Sequence, residues 1–162
     1  MVEIIILSLL VLMLVIKAYN YIKTENANRP YVTIPFKESL DLVNVPVVTF
    51  TNNGHKVSLM LDTGSDLSYI DSKALEHLRI SDKRDCAMNI VGAGGGTSST
   101  KKVTLSLQYK DIIFDEEFFV MELRDTMDNA FGKKIKVHGI LGNSFFTKYK
   151  YKIDYKTLVA QA

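Results

Sequence analysis

From Val45 onward the apolar residues of this chain recur mostly at every second position, in short runs broken by Gly, Asn and charged residues. Such alternation marks half-buried strands. It predicts strands over residues 45–51 and 55–61, then around 67–70, 88–91, 103–109, 112–114, 118–121 and 138–142, with a final one at 158–162. Between the first two lies Asn52-Asn53-Gly54, a hairpin turn, since Asn and Gly accept positive φ. Two short helices are predicted: 73–78, capped by Asp71 or Ser72, and 143–148, with Phe145 and Phe146 facing the core. Asp115-Glu116-Glu117 interrupts two strands and reads as a solvated turn. Lys148, Lys150 and Lys152 alternate with Tyr149, Tyr151 and Ile153, a strand pattern with its lysines on the wet face. The pattern as a whole is mostly β.

Residues 1–44 follow a different pattern. Ile4 to Ile16 is an uncharged run, apolar on every face, which argues against a helix buried in a soluble domain. The run is shorter than the roughly 18 to 20 apolar residues of a spanning helix. Glu3 and Lys17 at the headgroups, with Tyr19 and Tyr21 at the interface, make up the difference. Counted from Met1 to Ile22, the helix is about 33 Å long at roughly 1.5 Å per residue. A cleaved signal peptide is the rival reading, but Glu3 stands where basic residues belong and bulky Tyr19, Tyr21 and Ile22 where small ones do. Residues 1–23 are therefore expected to be a retained transmembrane anchor. Residues 24–44, with Asn26, Asn28, Pro30 and Pro35, are expected to be a tether to the domain at 45–162. Lys17, Lys23 and Arg29 all follow the apolar run, so the positive-inside rule places the domain of this single-pass protein in the cytoplasm.

An apolar fraction of 47% and a charged fraction of 23% suit a folded domain and exclude disorder throughout. A formal net charge of +2 gives no case for nucleic acid, and Lys133, Lys134 and Lys136 read as a solvated loop. The one cysteine, Cys86, excludes an internal disulfide and reads as a small apolar filler. His55, His77 and His138 lack ligand spacing, so no metal or cofactor is expected. The glycine-rich stretch 92–100 lacks the Gly-Lys-Ser/Thr and following helix of a phosphate loop, so it reads as a hairpin tip.

Candidate chemistry gathers where Val57, Leu59 and Leu61 run into Asp62-Thr63-Gly64-Ser65. A carboxylate delivered by a rigid strand into a turn of hydroxyls and glycine can be hydrogen-bonded and partly desolvated, the conditions for tuning an acid. Asp, Thr, Gly and Ser are also ordinary turn formers, so these four residues alone equally describe a surface turn. A second apolar-glycine element, Gly139-Ile140-Leu141-Gly142, lies near the other end of the domain. No second Asp-Ser/Thr-Gly exists; in Asp125-Thr126-Met127, the nearest look-alike, methionine replaces the glycine.

A hydrophobic strand ending in Asp-Thr-Gly-Ser, followed downstream by Ile-Leu-Gly, resembles the retropepsin-type aspartic proteases over roughly 45–162. The resemblance implies a half-pepsin acid-protease barrel with one or two short helices, cutting peptide or protein substrates as an endopeptidase. It implies Asp62 as the catalytic acid, with Thr63, Gly64 and Ser65 shaping its turn and Gly142 supporting it from behind. Asp66 matches a position that contacts substrate backbone in the family, and the loop holding Gly94 and Gly95 matches the flap that closes over substrate. Two departures stand out: Asn143 replaces an arginine that braces that aspartate in viral members, and Ser144 replaces an aspartate common in relatives. Hydrolysis by this route needs two carboxylates and one chain supplies one, so a homodimer about a two-fold axis is expected. The final strand at 158–162 is then expected in the dimer's interface sheet. The natural setting is a bacterial membrane. The same residues also fit a catalytically inactive module of this fold that binds peptides or dimerises, or a membrane-anchored scaffold.

Overall fold

The computed structural model describes residues 11–17, 32–92 and 95–162, and of 87–92 and 95–100 the backbone alone. In the first of its two units, Met1–Tyr31, residues 11–17 are helical with exposed side chains. No helix among the described residues is long and apolar enough to cross a membrane. The expected anchor over 1–23 lies for the most part outside the described residues, as does the start of the expected tether.

The second unit is Val32–Ala162. Its elements in chain order are β1 (Ile34–Pro35), α1 (Lys37–Val43), β2 (Val47–Asn52), β3 (His55–Leu61), β4 (Tyr69–Asp71), a 3-10 turn (Ser72–His77), β5 (Ile80–Gly92), β6 (Gly95–Tyr109), β7 (Ile112–Met121), α2 (Arg124–Phe131), β8 (Gly139–Leu141), α3 (Asn143–Tyr149), β9 (Lys152–Asp154) and β10 (Val159–Gln161). Seven strands pair in the order β2-β3-β8-β4-β7-β6-β5, and Thr51 of β2 also meets Gln108 of β6, which curls the sheet into a barrel. The mostly β, barrel-like architecture with few helices is as expected. The β2–β3 hairpin turns through Asn53 at φ 49° and Gly54 at φ 83°. Two successive positive φ values give the turn whose twist matches that of the flanking strands.

Four expectations are corrected. Residues 32–44 are not tether: Ile34 and Phe36 are each 1% exposed, β1 pairs with β10, and the Ser39 hydroxyl accepts the Val47 N–H at 2.8 Å. Two buried apolar side chains outweigh the Asn and Pro content that suggested a linker. β10 lies between β1 and β9, so the final strand expected at a dimer interface has both edges paired within its own chain. β7 runs unbroken from Ile112 to Met121, and the supposed acidic turn at 115–117 is strand. The strand read over 148–153 begins inside α3, because Tyr149 sits one helical turn from Phe145 and packs on it at 5.0 Å between ring centroids.

The core behind β3 is aromatic. Phe114 lies 5.8 Å from Phe50 and 5.5 Å from Phe145, the latter from α3 and 1% exposed. Burying one such side chain contributes roughly 1.5–3 kcal/mol, which pins α3 against the sheet. A smaller cluster of Val47, Leu123, Met127 and Val137 seats α2. That helix has its cap in Asp71, whose Oδ1 accepts the N–H groups of Leu123 and Arg124 at 3.0 Å each. Asp71 thus caps α2, distant in sequence, and makes no side-chain cap to the 3-10 turn it precedes.

Candidate active site

β3 runs parallel to β8, with Leu61 opposite Leu141, and the Asp62 N–H donates to the Leu141 carbonyl at 3.0 Å. Val57 and Leu59 are wholly buried and Leu61 nearly so, which fixes the strand that delivers Asp62. The chain then turns at once. Asp62 Oδ1 accepts the Gly64 N–H at 2.9 Å, and the Asp62 carbonyl accepts the Ser65 N–H at 3.2 Å. Among the described residues nothing donates to Oδ2, and the side chain is half-buried. One carboxylate oxygen is held by the turn, while the other is left for solvent or substrate. The Ser65 hydroxyl donates to the Leu67 carbonyl at 2.8 Å, closing the turn from its far side.

α3 is built onto this turn. The first amides of a helix lack intrahelical acceptors. Here Asn143 N–H donates to Ser65 O at 2.7 Å and Ser144 N–H to Asp66 O at 3.0 Å. The Asn143 side-chain amide also donates to Thr63 O at 2.9 Å. Asn143 therefore braces the backbone of the Asp62 turn. Gly142 makes the fit possible: a Cβ there would lie 2.2 Å from Leu67 O and 2.7 Å from Ser65 O. Only a glycine lets the two backbones come so close.

Behind the turn lies a carboxyl group that the acidic run in the sequence disguises. Glu116 is 2% exposed, and its Oε1 accepts the hydroxyls of Ser68 at 2.9 Å and Ser144 at 2.8 Å. Ser68 Oγ in turn accepts the Gly142 N–H at 3.2 Å. Burial raises the Glu116 pKa above its ordinary value, and the two hydroxyls and the Lys148 ammonium, 3.8 Å from Oε2, oppose the rise in part. One signal was available in the sequence. Phe114, Glu116 and Phe118 hold a strict period of two, so a strand that buries the phenylalanines also buries the acid.

Asp62, Thr63, Gly64, Ser65 and Asp66 lie together in one turn over Gly142, with Asp66 exposed. Gly95 opens β6 opposite Gly92 on the β5–β6 hairpin, and Gly94 falls outside the described residues. Asp125 and Thr126 lie in the first turn of α2 and form no second strand-end turn. Cys86 is half-buried on β5.

A barrel that carries one strand-end aspartate in a glycine turn, backed by a strand, a glycine and a helix, has the makings of half an acid-protease site. An aspartyl protease family model matches residues 48–145, more than half the chain, and the protein belongs to that family. Among solved structures it resembles EIAV protease complexed with the inhibitor HBY-793, at a TM-score of 0.51 and 20% identity over 68% of this chain and 92% of that one. At that identity the likeness is one of fold. No curated protein sequence matches the chain.

Proposed function

We propose that the protein is an aspartic endopeptidase that acts as a homodimer, two Asp62 side chains facing each other across one water. The observation that carries this reading is the placement of Asp62: delivered by a buried strand, one oxygen tied to Gly64 N–H at 2.9 Å, the other open. Two carboxylates about 3 Å apart do not both ionise, and paired aspartates in aspartic proteases are the established case. The ionised member takes a proton from the water, which attacks the peptide carbonyl. The protonated member gives its proton to the carbonyl oxygen. The member that took the water's proton passes it to the amide nitrogen as the C–N bond breaks, while a hydroxyl of the tetrahedral intermediate returns a proton to the other carboxylate. Asp66, exposed at the edge of the turn, suits a contact to substrate backbone, and the glycine-rich loop with Gly94 and Gly95 suits a flap that closes over substrate. No cofactor is needed.

The apolar run at Ile4–Ile16 supports a single-pass anchor, with the domain on the cytoplasmic side. Confinement to one membrane raises the local concentration of protomers and favours pairing. The test is incubation of the full-length protein, in an uncharged detergent, with a peptide library beside its Asp62→Asn variant. Wild type cuts; the variant sediments as a dimer and does not cut. Cleavage that survives the substitution contradicts the proposal. Peptide binding without cleavage in both proteins identifies a binding module of the same fold instead.

A further inference from the structure

At the His55 end of β3, about 20 Å from Asp62 at roughly 3.3 Å per strand residue, lies a cavity of about 210 Å³. It is smaller than the roughly 300–1,000 Å³ of pockets for drug-sized ligands, so it suits a small group. Its walls come from the start of β3, the 3-10 turn, the first residue of α2 and the segment before β8. Lys56, Lys73, Arg124 and Lys136 all line it, against a single carboxylate, Glu76. The chain as a whole carries only +2, so this is a local concentration of charge.

Three of the four cations are not used up by neighbouring carboxylates among the described residues. Arg124 leans on buried Asp71, with Nη2 3.4 Å from Oδ2. Among the described residues no carboxylate forms an ion pair with Lys56, Lys73 or Lys136. Like charges around one cavity repel, and a bound anion relieves that repulsion. His138 adds a donor. Its Nδ1 accepts the Ser58 N–H at 3.0 Å, so in the neutral ring Nε2 carries the proton. A metal is a poorer fit, because no three His, Cys, Asp or Glu side chains among the described residues gather to hold one.

The anion's chemistry follows from the donors. A lone carboxylate is best met by the fork of an arginine, and Arg124 is already turned to Asp71. Separate ammonium groups and an imidazole N–H suit a compact, multiply charged group, and a phosphate monoester carries a charge of about −1.5 to −2 at neutral pH. We infer that this cavity binds a phosphate monoester dianion, held by Lys56, Lys73 and Lys136 with the Nε2–H of His138. The inference is independent of the proteolytic reading, since no residue of the Asp62 turn takes part.

The test is calorimetric titration of the full-length protein in uncharged detergent, with inorganic phosphate in one arm and dioctanoyl phosphatidate in the other. Saturable binding in the phosphate arm marks a site for a free phosphate compound, and saturation in the lipid arm alone marks a headgroup site; either supports the inference. Lys73→Gln and Lys136→Gln each weaken binding at least about tenfold, as loss of a charge-assisted contact does. Glu76→Gln, which removes the opposing carboxylate, tightens it. Absence of saturable binding in both arms overturns the inference, and so does binding that is equal in wild type, Lys73→Gln and Glu76→Gln.

Discussion

The Ser68 hydroxyl donates a 2.9 Å hydrogen bond to Glu116, a carboxyl group that is 98% hidden from solvent at 2% exposure. Through Ser68 this acid reaches the Gly142 N–H, and through Ser144 it reaches the first turn of α3. The bonds that position Asp62 therefore rest on a strand, β7, that is far from it in sequence. A neutral hydrogen-bonded core would hold the same geometry without a group that resists ionisation, so the acid leaves a signature in pH.

Glu116 titrates above the ordinary 4.5 because burial disfavours its charged form. The native state then binds this proton more tightly than the unfolded chain. Its stabilising effect is complete below about 4.5 and is lost as pH rises through the elevated value. Urea unfolding midpoints measured against pH should show that loss in wild type and a flatter curve in Glu116→Gln. Glu116→Leu leaves two hydroxyls without their acceptor and should cost about 2–4 kcal/mol below pH 4.5, and less as pH rises through the elevated value. An unchanged slope in the glutamine variant contradicts this assignment.

Gly142→Ala drives a methyl group into the Leu67 and Ser65 carbonyls, which are backbone and held by hydrogen bonds of their own. The expected cost is about 3 kcal/mol or more. Peptide cleavage should fall with it, because α3 and the Asp62 turn must separate to make room. Thermal unfolding beside an activity assay checks both; a variant as stable and as active as wild type refutes the close approach.

His138 makes the opposite prediction on the acid side. Burial, then the nearby Lys136 ammonium, hold its pKa below the ordinary 6.5. Protonating Nδ1 also forfeits the bond from Ser58 N–H. Its contribution is therefore present above 6.5 and lost as pH falls through the depressed value. His138→Gln should remove that part of the acid-side slope, read from the same urea midpoints.

The Asp62 turn is legible in the sequence because its parts are local: alternation through Leu61, then an acid, a hydroxyl and a glycine in consecutive positions. The hairpin at Asn53-Gly54 is legible for the same reason. What is hidden depends on partners far along the chain. Asp71 beside Ser72 has the look of a cap for the helix that follows, and only the fold brings it to Leu123 and Arg124. Asn143 has the look of a missing brace for Asp66, yet its amide reaches Thr63 O. Three adjacent acids suggest solvent, although the period through Phe114, Glu116 and Phe118 points inward. A short edge strand over 31–34 is all the pattern there suggests, and Ile34 and Phe36 become core only when β10 lies beside them.

The central claim is that two chains each contribute one Asp62 to a single site. It is tested most directly by adding Asp62→Asn protein to a fixed amount of wild type, allowing protomers to exchange, and measuring peptide hydrolysis. Random pairing predicts that cleavage falls in proportion to the wild-type fraction, to half at equimolar mixture. A rate that does not change as the variant is added would show that one chain cuts by itself.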